Sequence, residues 1–231
     1  LIPGWRKGAT ELVKLYGVER ARLLFDLSLR ARDIVLARAA MHDIRCDLSL
    51  NGHLSAAAKP SDIAWMREEV ETLKRVMNYP HARVLDVEEA RSKLASPIAH
   101  GALLDGYGGH FHPLNYALGL AEAARRAGVT LHEDSRALSI DTNSGVHVQT
   151  AGGAVRAKYG VLACDAMLEG LEPRIAGRIM PVANYLIATA PLQNPSALIA
   201  DNLAVSDTRF VVNYFRMSAD GRLIFGGGER Y

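Results

Sequence analysis

The chain has 231 residues, of which 49% are hydrophobic and 23% charged, with a formal net charge of +2. That balance suits a globular fold with one large domain or two small ones. Its 27 Lys and Arg are dispersed and aromatics make up only 6%, which argues against a nucleic-acid surface. No apolar run approaches the roughly 18–20 residues of a bilayer span, and the opening LIPGWRKGATELVK lacks a secretory pattern. The two cysteines, Cys46 and Cys164, lie far apart in sequence and read as reduced thiols of a cytoplasmic protein.

From Thr10 to Met41 the pattern is helical. Val18-Glu19-Arg20 opens the main helix, Leu23, Leu24, Leu27, Ile34 and Val35 form its apolar stripe, and Arg20, Arg22, Arg30, Arg32 and Arg38 read as a solvated face. The run from Cys46 to Ala58 reads as two strands around an Asn51-Gly52 hairpin turn. Pro60-Ser61-Asp62 starts a helix that runs through Met77. Asp86 caps a shorter one to Leu94, with Glu89 three residues on.

Past the glycine turn at Asp105–Gly109, a helix is expected from about Leu114 to Ala127, carrying Leu114, Leu118, Ala121 and Ala124 at helical spacing. Gly128 stops it and Val129–His132 reads as a short strand. The order helix–glycine–strand is that of parallel α/β sheets. Three β-like runs follow, Arg136–Asp141, Val146–Thr150 and Ala154–Lys158, then an apolar strand at Tyr159–Ala163. Beyond Pro173 the pattern is β throughout: Met180–Ala190, Ala197–Ile199, Arg209–Arg216 and Arg222–Phe225, the last ending in Gly226-Gly227-Gly228. The chain has no G-x-G-x-x-G and no P-loop. His110 and His112 form an H-x-H, but nothing nearby supplies a coherent third ligand, so no metal is assigned.

Five segments in this order resemble the FAD-dependent amine and amino-acid oxidases of the D-amino-acid oxidase superfamily, nearest its γ-glutamylputrescine oxidoreductase branch. They are LIPGWRKGATELVKLYG, DGYGGHFHPLNYALGLAEAARRAGV, the three β-runs with YGVLACDA, RIMPVANYLIATAPL and NYFRMSADGRLIFGGGERY. The resemblance implies an α/β (α+β) fold: part of an FAD-binding parallel sheet with a three-stranded meander, plus a mostly antiparallel substrate-domain sheet with helices. Residues 1–45 and 106–170 would belong to the flavin side, and 46–105 and 171–231 to the substrate side. It also implies that this chain is the interior of such an oxidase, lacking the dinucleotide-binding motif before it and the final flavin contact after it.

By the same resemblance, Arg216 pairs with a substrate carboxylate, a role that suits a guanidinium fork. Tyr214 and His112 face the substrate. Ala163, Cys164 and Asp165 pass the cofactor pyrophosphate, Ala137 meets the adenine, and Gly226 and Gly227 admit backbone near the flavin. No general base is demanded if the amine arrives neutral. The implied cofactor is FAD and the implied substrate an amine such as γ-glutamylputrescine or a related amino acid. The competing reading is a non-catalytic piece with an incomplete flavin site, self-associating through open sheet edges.

Overall fold

A computed structural model describes residues 1–97 and 99–230. Contacts divide the described residues into two compact units, one spanning 1–124 with 184–229 and the other 125–183 with 230. The first unit holds a seven-stranded sheet of order β2-β3-β1-β8-β9-β10-β7. Its strands are β1 (His53–Ala56), β2 (Ala82–Leu85), β3 (Ala102–Asp105), β7 (Ala183–Ala188), β8 (Ala204–Asp207), β9 (Tyr214–Met217) and β10 (Leu223–Arg230). β1 pairs antiparallel with β3 and parallel with β8; β2–β3, β8–β9 and β9–β10 are antiparallel.

Period-two alternation gives this sheet two chemically different faces. Leu54, Ala56, Leu85, Ala102, Val205 and Met217 point to one of them and are buried with Ala90 and Leu94 of α3 (Val87–Lys93) and with Ile199 and Leu203. The opposite face is set by the register His53↔Asp105, Ser55↔Ser206 and Ser206↔Tyr214, with Arg216 two residues beyond Tyr214. At Ala82, Val84 and Leu103 it is apolar, and there α1 (Ala9–Met41) and α2 (Asp62–Arg75) cover it through Phe25, Val70 and Leu73, with Tyr79 just beyond α2. His53, Ser55, Asp105, Ser206, Tyr214 and Arg216 make most of the remainder polar, with Ala204 and Ile224 among them.

The helices begin and end where their signals stand. Asp86 caps α3 with a full capping box to Glu89, and α4 (Pro113–Arg126) stops at Gly128 with φ +90°. Gly17 (φ 76°, ψ 166°) breaks α1, so the main helix does open at Val18. Its buried face, however, is Ala21, Phe25, Arg32 and Ala39, while Leu23, Leu27 and Ile34 are exposed. Small residues let α1 lie close to its neighbours, and the leucine stripe is turned outward.

Several expected strands take another form. No hairpin forms at Asn51-Gly52: β1 pairs with β3 and β8 instead, and Gly52 (φ +115°) is needed because a Cβ there would stand 2.9 Å from the Asp105 carbonyl. Residues 197–198 lie in a short helix at Pro195–Leu198, and Arg209–Asn213 lie outside β9. β10 does not stop at the glycines but runs through them. β2, β3 and β8 were not foreseen.

The second unit contains the expected meander, an antiparallel sheet β4-β5-β6 made of Ser139–Asp141, Val146–Thr150 and Gly153–Ala157. Val129–His132 and Tyr159–Ala163 are not strands; they join no ladder among the described residues. The α/β class, the meander and the larger mixed sheet thus stand, without the two flanking strands. Among the described residues no helix is long and apolar enough to cross a membrane.

Candidate active site

Two of the buried polar groups among the described residues, His53 and Asp105, lie on the polar face of the large sheet. Asp105 and His53 stand opposite each other on β3 and β1, both with less than a tenth of their surface exposed. The His53 Nε2 lies 2.9 Å from the Ser206 hydroxyl. Burial pushes the His53 imidazole down to about 4, so it is neutral at physiological pH. Asp105 Oδ1 accepts from the Tyr79 hydroxyl at 2.6 Å and from the Tyr107 N–H at 3.0 Å. Burial and that bond to Asp105 raise the Tyr79 pKa and keep the phenol protonated.

Arg216 is half-buried on the same face, and among the described residues its one hydrogen bond runs from Nη1 to the Met217 carbonyl at 3.1 Å. Burial lowers its pKa while the charge of Asp47 opposes. His110 is buried in an isolated bridge with Ser49, and its Nε2 meets the Asn202 carbonyl at 2.9 Å. Its Nδ1 has no partner among the described residues. Burial is the largest cause of the lowered His110 pKa, and the Arg216 charge adds to it. His110 thus lies in the field of Arg216. The His112 Nδ1 accepts from the Asn115 N–H at 3.2 Å and caps the start of α4. Tyr214 donates its hydroxyl to the Asn184 Oδ1 and packs over Gly226, where a Cβ would overlap its ring.

Gly227 is likewise closed by protein, with Asn213 Oδ1 at 2.6 Å from where its Cβ would stand. In the second unit Ala137 precedes β4, while Ala163, Cys164 and Asp165 run into a 3-10 turn at Asp165–Leu168. Ala163 and Asp165 are exposed and Cys164 half-buried. The Arg136–Glu169 ion pair joins these two stretches. Among the described residues no three His, Cys, Asp or Glu side chains converge as metal ligands. Sequence reasoning passed over His53, Asp105, Ser206 and Tyr79; the one available signal was the Asp105-Gly106 turn.

The chain is α/β, and its large sheet carries one apolar face and one largely polar face on which His53 and Asp105 are buried and hydrogen-bonded. Its kin are specific. The model of the family "FAD dependent oxidoreductase" matches residues 1–231, and the chain belongs to that family. It is 37% identical over 229 residues to "Probable oxidoreductase OrdL" of Rhizobium meliloti, covering 99% of this chain and 53% of that protein. It is 35% identical over 234 residues to "Gamma-glutamylputrescine oxidoreductase" of Escherichia coli, covering 100% of this chain and 54% of the relative. The chain thus spans about half the length of these relatives. The crystal structure of glycine oxidase from Geobacillus kaustophilus superposes with a TM-score of 0.73 at 21% identity, over 90% of this chain and 56% of that one.

The family implies FAD, and the residues present fit it in part. Arg216 and Tyr214 lie on the polar face, and His110 keeps an Nδ1 without a partner among the described residues. No G-x-G-x-x-G is present for the pyrophosphate, and the leading N–H groups of α1, at Ala9 and Thr10, already donate to the Glu69 carboxylate.

Proposed function

We propose that this chain supplies the substrate-binding part of a FAD-dependent oxidoreductase that oxidises an amine, with a γ-glutamylated polyamine or a related amino acid as substrate class. The observation that carries the reading is Arg216, a half-buried guanidinium on the polar face with a single backbone acceptor. Such a group is suited to a carboxylate, which it can meet with two parallel bonds. The γ-glutamylputrescine oxidoreductase of Escherichia coli, matched over the whole chain, supports the substrate class.

When bound, the flavin supplies the hydride acceptor. The chain's own residues bind and orient. Arg216 would hold the carboxylate, and Tyr214, fixed by Asn184, would flank it. The neutral His53, tied to Ser206, adds no positive charge that would repel an incoming amine. In this reading residues 46–105 and 171–231 form the substrate side. Residues 1–45 and 106–170 form the flavin side, with Ala137, Ala163, Cys164 and Asp165 at the cofactor. Unpaired Cys46 and Cys164 accord with a cytoplasmic setting, and the open edges β2 and β7 are where copies would associate.

The alternative reading is a non-catalytic piece with an incomplete flavin site. Anaerobic addition of γ-glutamylputrescine to a flavin-loaded enzyme containing this chain decides between them. Bleaching of the visible flavin band is the expected result. An unchanged band with every amine tried overturns the oxidase reading.

A further inference from the structure

Away from Arg216, the polar face ends in a cleft of about 600 Å³ beneath residues 2–14 and α2. That volume lies within the range of small-molecule sites, roughly 300–1,000 Å³. His53 and Asp105 stand at its floor, and Trp5, Trp65, Phe25 and Tyr79 form walls. Asp105 is 7% exposed. Its Oδ1 takes both bonds from Tyr79 and Tyr107, and its Oδ2 has no hydrogen-bond partner among the described residues. No Lys or Arg pairs with it there. The buried Arg32 makes no ion pair with it: its guanidinium lies 3.6 Å over the Tyr107 ring and bonds Asp33 at 3.1 Å, and its Nε has no partner among the described residues.

A buried carboxylate left without a cation is costly, and its neighbour His53 carries no compensating charge. The rim does not supply one either. Lys7 is paired with Glu11 and Lys14 with Glu68, while Glu69 is occupied by the N–H groups of Ala9 and Thr10. Arg6 also lies along the cleft but is exposed. A fixed carboxylate inside aromatic walls is the chemistry that recognises an ammonium group, by a charge-assisted bond and by cation–π contact.

We propose that Asp105 anchors an alkylammonium group in this cleft, walled by Trp5 and Trp65. The site stands without a flavin. It rests on the amine-oxidase reading only in one respect: it would receive an ammonium group of the substrate other than the reacting amine, such as the α-ammonium of a γ-glutamyl group, and so select for substrates that carry one.

The chain has two tryptophans, and both line this cleft, so intrinsic fluorescence reports on it directly. The protein is titrated, without flavin, with putrescine, butylamine and 1-butanol. Both amines should give a saturable change and the alcohol none. Asp105→Asn should weaken the amines by about tenfold or more, whereas Tyr79→Phe, which keeps the carboxylate, should stay within about threefold. Circular dichroism checks that Asp105→Asn is folded, and the ligand series on the unaltered protein decides if it is not. No saturation with either amine up to about 10 mM, equal response to butanol, or a folded Asp105→Asn that binds like the parent overturns the proposal. Amine binding here without amine oxidation would sink the oxidase reading and leave this site standing.

Discussion

Gly226 sits opposite Tyr214 in the β9–β10 ladder. An added Cβ would overlap the Tyr214 ring and come within 2.7 Å of Leu186 Cδ2. Gly226→Ala should therefore be destabilising, although strand propensity alone favours alanine by roughly 0.5–1 kcal/mol. Overpacking of this kind costs about 1–3 kcal/mol, so a net loss of about 1–2 kcal/mol is expected. The ring must move, and the hydroxyl bond to Asn184 goes with it. In a Tyr214→Ala background the Cβ meets only the end of the flexible Leu186 side chain, and the same substitution should cost less than about 0.5 kcal/mol. The double-mutant cycle thus has a coupling of about 1–2 kcal/mol, read from urea midpoints and slopes of the four proteins. Additivity to within about 0.5 kcal/mol would show that Tyr214 does not hold this position, and its place beside Arg216 would be lost with it.

Stability should also depend on pH through His53. Its folded pKa, about 4, lies below its ordinary value of 6.5, so the unfolded chain binds the proton more tightly. Stability is full above about pH 6.5 and falls as pH drops toward 4, by about 2 kcal/mol at pH 5. Urea melts at pH 7 and pH 5 should show this, with a shallower slope in His53→Gln; an identical slope would remove His53 as the cause. Asp86→Ala, which dismantles the α3 capping box, should cost about 1 kcal/mol in the same assay. FAD titrated into the 231-residue chain alone should not saturate below the high micromolar range, as judged by flavin fluorescence, because no glycine loop receives the pyrophosphate. Tight stoichiometric binding would contradict that.

What the sequence made legible was local. Asp86 with Glu89 and Arg126 before Gly128 carry their own start and stop chemistry, and the structure follows them. The glycine turns of the meander are equally self-contained. The seven-stranded sheet was harder, because β1, β2, β3, β8 and β9 are four residues each and too short to show a period. Asn51-Gly52 misled for a physical reason: the glycine serves a close approach to the Asp105 backbone rather than a two-residue turn. The site divides in the same way. Arg216 and Tyr214 were picked out by resemblance, but His53 and Ser206 meet only through the parallel β1–β8 pairing, across 153 residues of sequence. No local pattern announces such a contact. Arg32 read as one more surface arginine, yet it is buried against Tyr107.

The central claim, that the polar face holds the substrate of a flavin-dependent amine oxidase, is tested most directly at Arg216. In a flavin-loaded enzyme containing this chain, kcat/KM is measured for an amine bearing a carboxylate and for its counterpart without one, before and after Arg216→Ala. Loss of a bidentate charge-assisted contact removes about 2–4 kcal/mol, or roughly 30- to 1000-fold, for the carboxylated amine. The counterpart should change little. Equal losses on both amines would make Arg216 a structural residue and contradict the account.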